Sequence, residues 1–329
     1  MGQMVTYIDA IVQAQAEEMR RDPNVFVLGE DVGIYGGVFK ATKGLMDEFG
    51  FYRCLDTPIA EAMIVDVAIG AALMGMRPIA EIQFGDFIGG AHDPICQQAA
   101  KIHWRTGGKW KVPIVIRVAN GWAMGTGLYH GQANEAWYMH VPGLKIVAPS
   151  TPYDAKGLLK SAVRDDNPVI YLDQKAIYRV PWLKEELPEE DYTVPIGKAR
   201  IAREGKHLTF ISYGWVVHNC LEAAKKLEER GIYAEVLDLR SILPYDKEAI
   251  LESVKKTGKV SITHDAPKTA GVGAEISAFI AEEAFEYLDG PVTRVCSYDT
   301  PVPFYSKMEK FWLPTPEKLY DAALKLFEY

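Results

Sequence analysis

Short, continuously apolar segments alternate with helix-like segments along most of this 329-residue chain. In the first half of the chain these apolar segments begin at Val25, Arg77, Val112, Leu144 and Pro168. A run of this kind predicts a strand that is buried on both faces, because neither side of it carries regularly spaced polar residues. Buried strands separated by helices are typical of parallel sheets that are covered by helices on both faces. We therefore expect an α/β fold built from doubly wound sheets.

The alternation stops after Tyr178 and then resumes, which predicts two domains. The interruption, RVPWLKEELPEEDYTVP, is acidic and contains several prolines, as expected of an exposed linker. Beyond it, a second series of apolar segments begins at Leu208, Tyr233, Lys259 and Val292. We expect a first domain over residues 1–185, a linker over 186–200 and a second domain over 201–329.

Composition argues against several classes of partner. The formal net charge is −8 and no extended Lys/Arg cluster is present, so nucleic acid is not an expected partner. The longest apolar run is interrupted by Asp66 and is too short to span a bilayer, and the chain begins with no signal-like segment. We therefore expect no membrane association and a cytoplasmic location. The four cysteines are far apart and lack metal-ligand spacing, which predicts packing roles in a reducing compartment.

The stretch DTPIAEAMIVDVAIGAALMG predicts a helix that carries one carboxylate in its first turn. We expect Thr57 to cap this helix and Pro58 to be its first residue, which places Glu61 near the positive end of the helix dipole. The acid could simply complement that dipole. However, the residues after it are almost all apolar, which predicts a buried helix, and a buried carboxylate needs a partner. A ligand that carries a basic nitrogen would meet that need.

Two further segments carry residues able to contact a ligand. EIQFGDFIGGAHD holds Gln83 and Phe87 at a strand end, where open α/β sheets bind ligands, although aromatic residues at strand ends are more often part of the core. NGWAMGTGLYHGQANEAW places His130 among glycines, where an imidazole can exchange protons with a ligand or serve only as a structural histidine. His264 has the same two interpretations.

Several common catalytic motifs are missing from the sequence. It has no phosphate-binding P-loop, no G-x-G-x-x-G after a strand, no G-x-S-x-G and no H-E-x-x-H. A nucleotide enzyme that is complete in one chain and a serine hydrolase are both disfavoured.

Long segments along nearly the whole chain resemble one family. These segments are LGEDVGIYGGVFKATKGL, DTPIAEA, GMRPIAEIQFGDF, PGLKIVAPSTPYDAKGLL, DDNPVIYLDQKAIYR, AEVLDLRSILPYD and DTPVPF. They resemble the beta subunit of the thiamine-diphosphate-dependent decarboxylating component of 2-oxo acid dehydrogenase complexes, the pyruvate, branched-chain and acetoin group. The resemblance implies a pyrimidine-binding domain followed by a transketolase C-terminal-like domain. It also implies decarboxylation of a 2-oxo acid, pyruvate or a branched-chain acid, with acyl transfer to lipoamide.

The resemblance implies roles for individual residues. Glu61 would hydrogen-bond a ring nitrogen of the cofactor's aminopyrimidine and favour its imino tautomer. Ile59, Gln83 and Phe87 would line the pocket of that ring. His130 would lie near the substrate and assist proton transfer or reductive acylation of lipoamide.

Relatives of this family also hold a structural potassium ion, largely through backbone oxygens. The matching positions are Ile114, Ala162, Val163, Asp165 and Asn167. Carbonyl-rich coordination of this kind suits a hard cation.

The chain departs from the family around His130, and it lacks one family motif. Relatives often have His-Ser-Gln-Ser where this chain has HGQAN, residues 130–134. The G-D-G motif followed by asparagine, which binds magnesium and diphosphate, is missing. The resemblance therefore implies an alpha subunit that supplies the magnesium ligands in an α2β2 assembly, which docks onto a lipoyl acyltransferase core. Two alternatives are a transketolase-like half-subunit that acts on sugars and a noncatalytic scaffold of the same fold.

Overall fold

The structure is a computed structural model that describes residues 4–329, and these form two compact units. The first unit contains the described chain up to Asn120 together with Trp137–Ile196. The second unit contains Gly121–Ala136 and Gly197–Tyr329. The segment Gly121–Ala136 lies within the range expected for the first domain, but it packs with the second unit.

The first unit has a parallel sheet flanked by helices. The strands of this unit are β1 (Met4–Val5), β2 (Val25–Gly29), β3 (Cys54–Asp56), β4 (Arg77–Ile82), β5 (Val115–Asn120), β6 (Lys145–Val147), β7 (Val169–Gln174) and β8 (Glu185–Glu186). Its helices are α1 (Tyr7–Arg21), α2 (Leu45–Phe49), α3 (Glu61–Leu73), α4 (Ala100–Arg105), α5 (Glu135–Met139), where the chain re-enters this unit, and α6 (Pro152–Arg164). Short 3-10 and π-helical turns at Gly85–Ala91 and Pro94–Ala99 lie between β4 and α4.

The strands of this sheet lie in the order β6-β7-β5-β4-β2-β3, and every pair is parallel. All residues of β2, β5 and β7 are buried, which requires cover on both faces of the sheet and confirms the doubly wound α/β prediction. The register places Gly29 beside Glu81, and Glu81 beside Arg117. Charged residues therefore lie within an otherwise apolar sheet, near its carboxyl edge.

Local capping signals set the ends of several helices. Thr6 caps α1, since its Oγ1 accepts a hydrogen bond from the Asp9 N–H at 3.2 Å. Thr315 caps the last helix, in which Pro316 is the first residue. These signals involve neighbours in sequence, so they can be interpreted without knowing the fold.

The second unit is a separate α/β layer structure. Its strands are β9 (Arg200–Arg203), β10 (Leu208–Ser212), β11 (Ala234–Asp238), β12 (Ser241–Leu243), β13 (Val260–Pro267) and β14 (Thr293–Ser297). Its helices are α7 (Val216–Glu228), α8 (Lys247–Thr257), α9 (Val272–Glu283), α10 (Ser306–Trp312) and α11 (Pro316–Leu326). A five-stranded sheet has the order β14-β13-β10-β11-β9, in which β9 is antiparallel to β11. The sequence pattern did not predict β9, because it is a short edge strand that is only partly buried.

The cysteines have packing roles, as predicted. The thiols are free, and Cys54, Cys96 and Cys220 are buried. Burial raises the pKa of Cys54 to about 11 and that of Cys296 to about 12, so both remain protonated near neutral pH. No helix within residues 4–329 combines the length and apolar composition needed to cross a bilayer.

The acidic segment between the two series of strands is attached to the first unit rather than loose. The Asp191 carboxylate pairs with Lys160 and Arg164 of α6 at 2.5 and 2.8 Å. The Tyr192 ring stacks on Tyr153 with the ring centroids 4.5 Å apart. An acidic residue of the predicted linker thus pairs with basic residues of α6.

Gly143 occupies a crowded site that only glycine fits. Its φ is +100°, and an added Cβ would lie 2.0 Å from the Ala100 carbonyl oxygen. We expect Gly143→Ala to lower the free energy of unfolding by about 2–3 kcal/mol, because the backbone must move to relieve that clash. Urea unfolding measures this loss. Gly44→Ala is a matched control, since its φ is +82° but no atom lies within 4 Å of the added Cβ. Equal losses in the two variants would contradict the expectation.

Candidate functional site

The carboxyl edge of the first sheet collects the polar side chains that the sequence singled out. The strands β2, β3 and β4 are parallel, so the loops that follow Gly29, Asp56 and Ile82 all leave the same edge. Open α/β sheets bind ligands at this edge, because the loops there diverge and leave room. The side chain of Gln83 crosses this edge, where its Nε2 donates to the Glu30 carbonyl oxygen at 2.8 Å.

The helix that carries Glu61 begins later than predicted. Glu61 is its first residue, and Ala60 stands at the N-cap without a side-chain capping bond. The Thr57 hydroxyl donates instead to the Pro58 carbonyl oxygen at 3.0 Å, and the Thr57 N–H donates to the Gly29 carbonyl oxygen at 3.0 Å. The predicted capping by Thr57 and Pro58 was wrong, because a tertiary hydrogen bond to β2 keeps this segment extended.

The prediction that α3 is wholly buried was also wrong. Val67 is 44% exposed and Met74 is 85% exposed, while Val65 and Ile69 on the opposite face are buried. Glu61 itself is partly buried. One apolar face of α3 therefore covers the sheet, and the other is left accessible on this chain.

Glu61 presents a carboxylate that no described residue satisfies. Within residues 4–329, no side chain or backbone group donates a hydrogen bond to it or forms an ion pair with it. Gly90 lies beside it, since an added Cβ would be 3.6 Å from Glu61 Oε2. Burial raises the pKa of the Glu30 carboxyl, and the negative charge of Glu61 nearby raises it further. A group that brings a hydrogen-bond donor or a positive charge would be stabilised here.

The other three predicted pocket residues lie on segments that adjoin Glu61. Ile59 precedes α3 and is 81% exposed. Gln83 follows β4, and Phe87 lies in the 3-10 turn Gly85–Ala91, which packs against α3. The ring of Phe87 is partly buried and meets Phe84 edge to face at 5.7 Å. The structure therefore places Glu61, Ile59, Gln83 and Phe87 along one edge of one unit.

A buried ion-pair cluster supports this edge, and the sequence analysis missed it. Arg117 of β5 is 1% exposed and binds both Glu81 of β4 and Asp173 of β7. The Tyr178 hydroxyl donates to the other oxygen of Asp173 at 2.6 Å. Burial raises the pKa of Asp173 to about 6, while Arg117 beside it lowers it. The available signal was a charged residue inside each of three strands that were otherwise read as apolar.

His130 lies in the second unit, on the loop Gly121–Ala136. It follows a 3-10 turn at Gly127–Tyr129, and its side chain is partly buried. The base of the loop is closed by a hydrogen bond from the Gly121 N–H to the Gln132 carbonyl oxygen at 3.1 Å. The sequence located the histidine in a glycine-rich loop, but it did not indicate which unit holds that loop.

The departure from the family pattern after His130 has a steric reason. A Cβ at Gly131 would lie 2.7 Å from both the Gly127 carbonyl oxygen and Thr126 Oγ1, and 3.1 Å from Val302. Serine at this position would therefore require the loop to shift. The HGQAN sequence fits a tighter loop than a serine-containing sequence would allow.

His264 is a structural histidine. It is fully buried within β13, where its Nε2 accepts from the Gly273 N–H at 3.1 Å and its Nδ1 faces the Ala266 carbonyl oxygen at 3.2 Å. Burial lowers the pKa of its imidazole to about 4, so it stays neutral near pH 7. Of its two interpretations, the structural one is therefore supported.

The five positions matched to a potassium site are found at the opposite, amino edge of the first sheet. Arg77 Nη1 donates to the carbonyl oxygens of Val163 and Asp165, each at 2.9 Å. The carbonyl oxygens of Ala162 and Ile114 accept backbone N–H groups at 3.3 and 3.0 Å. The Asn167 amide Nδ2 donates to the Asp165 carboxylate at 3.2 Å. Carbonyl oxygens thus converge here, but a guanidinium already contacts two of them.

Within residues 4–329, no group of three or more histidine, cysteine, aspartate or glutamate side chains is placed to hold a metal ion. Carbonyl oxygens, which dominate the potassium positions, are a different class of ligand. A metal bound by side chains alone is therefore not supported by the described residues.

Two family models match this chain, one in each half. The transketolase pyrimidine-binding domain matches residues 3–181, and the transketolase C-terminal domain matches residues 197–319. The order of these domains is the one that the sequence resemblance implied.

Curated relatives match over essentially the full length. The chain is 50% identical to the 2-oxoisovalerate dehydrogenase subunit beta of Bacillus subtilis (strain 168), with 99% of each chain covered. It is 45% identical to the pyruvate dehydrogenase E1 component subunit beta of the same organism, with 100% of each covered. Among solved structures, a split-gene transketolase described as an inactive beta4 tetramer matches with a TM-score of 0.79 over 98% of each chain, at 24% identity. That last likeness concerns the fold alone.

Proposed function

The chain belongs to the family of 2-oxo acid dehydrogenase beta subunits, built from a transketolase pyrimidine-binding domain and a transketolase C-terminal domain, and on this premise we propose its function. We propose that it is the beta subunit of an enzyme that decarboxylates a 2-oxo acid on thiamine diphosphate and transfers the acyl group to lipoamide. The substrate is pyruvate or a branched-chain 2-oxo acid. Of the two curated relatives described above, one is named for 2-oxoisovalerate, a branched-chain 2-oxo acid, and the other for pyruvate.

The unsatisfied carboxylate of Glu61 is the observation that carries this proposal. It stands at the start of α3, at the ligand-binding edge of a parallel sheet, with no hydrogen-bond donor among the described residues. A scaffold without a ligand would gain nothing from an acid left in this condition, since a partly buried unpaired charge destabilises the fold. A sugar-specific half-subunit is not favoured, because the curated relatives of high identity are named as 2-oxo acid dehydrogenase subunits.

The residues around Glu61 fit the aminopyrimidine ring of thiamine diphosphate. When bound, this cofactor supplies the reactive carbon and the electron sink for decarboxylation. Glu61 holds a hydrogen bond to a ring nitrogen and so fixes the tautomer of the pyrimidine. Ile59 and Phe87 offer apolar surface to the ring, and Gln83 offers an amide. The absence of a Cβ at Gly90 leaves space beside the carboxylate.

His130 is proposed to exchange a proton with the substrate or with the lipoamide acceptor. An imidazole is suited to this step because one ring nitrogen can donate a proton while the other accepts one. The loop that holds His130 belongs to the second unit.

Partners are proposed to complete the enzyme. The chain lacks the motif that binds magnesium and diphosphate, so an alpha subunit must supply those ligands in an α2β2 assembly. The accessible apolar face of α3, with Val67 and Met74, supports contact with another subunit, since large exposed apolar surfaces mark interfaces. A lipoyl acyltransferase core is the proposed acceptor of the assembled enzyme.

We also propose that a potassium ion binds at the amino edge of the first sheet, where the Arg77 guanidinium competes for two of its ligand atoms. The carbonyl oxygens of Val163 and Asp165 converge as a hard cation requires, and a carbonyl can accept more than one contact. Arg77 already supplies positive charge to both. A potassium ion at Ile114, Ala162, Val163, Asp165 and Asn167 would share its ligands with this guanidinium.

Reconstitution tests the proposed function directly. We expect the isolated chain to be inactive and the complex with its alpha subunit to decarboxylate pyruvate or a branched-chain 2-oxo acid when thiamine diphosphate and magnesium are added. The physical reason is that this chain encloses only the pyrimidine end of the cofactor. The measurement is release of CO2 and acylation of lipoamide, with a pentose phosphate as the competing substrate.

Two outcomes would contradict the proposal. Turnover by the isolated chain would show that no partner is needed to complete the site. Preference of the complex for the pentose phosphate over every 2-oxo acid would favour the transketolase-like alternative. Omission of thiamine diphosphate is the control that ties any turnover to the cofactor.

A further inference from the structure

The loop that carries His130 is anchored to the second unit mainly by polar contacts. Several of its apolar side chains point to solvent, with Met124 76% and Tyr129 68% exposed. Gly121, Gly125 and Gly127 have positive φ values, so the backbone here follows a path that few other residues can adopt. With little apolar burial, the position of such a loop depends on the hydrogen bonds that hold it.

Glu309 of α10 provides one anchor. Its side chain is only 2% exposed, and its Oε1 accepts two hydrogen bonds from the loop. The Trp122 indole Nε1 donates at 3.0 Å, and the Gly125 backbone N–H donates at 2.9 Å. A buried carboxylate that receives two N–H groups forms charge-assisted hydrogen bonds, which are stronger than neutral ones.

Asp265, at the end of β13, provides the second anchor. Its Oδ2 accepts from the Trp122 backbone N–H at 3.2 Å and from the Trp215 indole at 2.7 Å. Gly121 lies against it so closely that an added Cβ would be 2.7 Å from Oδ2. The indoles of Trp122 and Trp215 pack together, with ring centroids 5.4 Å apart.

At two of its glycines, the loop packs closely against the segment that precedes α10. A Cβ at Gly127 would lie 2.6 Å from the Phe304 ring, and a Cβ at Gly131 would lie 3.1 Å from Val302. The residues on either side of His130 therefore rest on the same segment that leads into the helix carrying Glu309. A displacement of α10 would be transmitted to both sides of the histidine.

We propose that Glu309 is a positioning residue that sets the place of the His130 imidazole through the loop Gly121–Ala136, with Asp265 as its second support. This inference rests on the function proposed for His130. Glu309 touches no reacting atom. It acts by holding Trp122 and Gly125, and through them the turn that ends at His130.

The test uses the complete complex with its alpha subunit and five variants of this chain. Glu309→Leu removes the acceptor, and Glu309→Gln keeps one oxygen that can accept both N–H groups. Together with Glu309→Leu, the variants His130→Ala and His130→Ala/Glu309→Leu form a double-mutant cycle. Leu319→Ala, in the buried core between α7 and α11, is the control for a loss of stability away from the loop.

Three readouts separate a positioning role from a general loss of folding. We expect Glu309→Leu to lower kcat for acyl transfer to lipoamide by about 10²-fold, the cost of a misplacement near 1 Å, with little change in KM or in cofactor affinity. Glu309→Gln should recover most of that loss. The double variant should be no slower than His130→Ala, because two residues that act as one unit are not additive. Leu319→Ala should retain kcat while it remains folded.

Hydrogen exchange tests the anchoring independently of catalysis. In Glu309→Leu the amide of Gly125 should lose protection, because its acceptor is gone. Unchanged protection would overturn the inference, and so would a double variant that loses activity by the product of the two single losses. If His130→Ala retains full turnover, the function proposed for His130 fails, and the positioning role fails with it even where exchange shows that the loop is anchored.

Discussion

Replacing Glu61 with alanine is expected to abolish most of the turnover of the assembled enzyme while the fold is retained. The loss should reach about 10²- to 10⁴-fold in kcat, the usual contribution of a group that controls a proton in the transition state. Glu61→Gln should be impaired almost as strongly, since an amide keeps the size of the side chain but loses its negative charge. The measurement is steady-state turnover of a 2-oxo acid by the complex, compared with its thermal unfolding.

The physical reason lies in the surroundings of Glu61. Its carboxylate makes no hydrogen bond to any described residue, so its removal breaks no contact within the chain. Its removal also takes away a negative charge close to Glu30. Burial raises the pKa of the Glu30 carboxyl, and the charge of Glu61 raises it further. Loss of Glu61 should therefore leave stability unchanged or slightly improved, which separates a catalytic effect from a folding defect.

Asp66→Asn is the matched control on the same helix. Asp66 is exposed, and its carboxylate accepts only from the Gln98 side chain at 3.2 Å. We expect this variant to keep the turnover of the parent enzyme. Near-normal activity of Glu61→Ala, or an equal loss in Asp66→Asn, would remove Glu61 from the proposed mechanism.

Replacing Arg117 with methionine is expected to produce the largest loss of stability. Arg117 is 1% exposed and is the ion-pair partner of Glu81 and Asp173, which are themselves 3% and 0% exposed. Methionine fills part of the volume but leaves two buried carboxylates without their cation. Breaking a buried pair in this way costs about 3–5 kcal/mol, a large share of the roughly 5–15 kcal/mol that stabilises a typical domain.

The destabilisation of Arg117→Met should depend on pH with a definite sign. In the folded parent protein burial raises the pKa of Asp173 to about 6, whereas an unfolded aspartate titrates near about 4. Between these values the folded state binds more protons, so its stability falls as the pH rises through this window and is level above it. Without Arg117 the pKa of Asp173 rises further. The difference between variant and parent should therefore be smallest at acidic pH and grow as the pH increases.

Urea unfolding of both proteins at several pH values measures this difference. Lys111→Met is the control, because Lys111 is 59% exposed and pairs with Asp166 on the surface. An exposed pair of this type contributes no more than about 1 kcal/mol. The expectation is contradicted if Arg117→Met lowers the free energy of unfolding as little as the control does, or by an amount that does not vary with pH. Either result would show that Glu81 and Asp173 find other partners.

Prediction from the sequence succeeded where the signal was local. The Thr6 and Thr315 caps and the start of the helix Lys247–Thr257 depend on hydrogen bonds between residues a few positions apart, so the sequence is enough to identify them. It failed at Thr57, where a hydrogen bond to Gly29 of a neighbouring strand outweighs a local cap. It also misjudged α3, since the apolar content of a helix does not indicate whether a second layer covers it.

The candidate site shows the same division. Glu61, Gln83 and Phe87 could be selected from the sequence, because each adjoins the end of a strand and such ends meet at one edge in a parallel sheet. The cluster of Glu81, Arg117 and Asp173 could not be assembled in this way. Its three members lie far apart in the chain, on β4, β5 and β7, and only the pairing of these strands in the sheet brings them together.

The sequence by itself determined the α/β class and the two series of strands, which follow from periodicity, a property of short segments. Its resemblance to a family singled out the acid and the histidine on which the proposed chemistry depends. Only the tertiary structure decided that the loop of His130 packs with the second unit and that Arg77 contacts the carbonyl oxygens of Val163 and Asp165. Both are contacts between segments far apart in the chain, and their free energy depends on the relative placement of those segments, which no local pattern encodes.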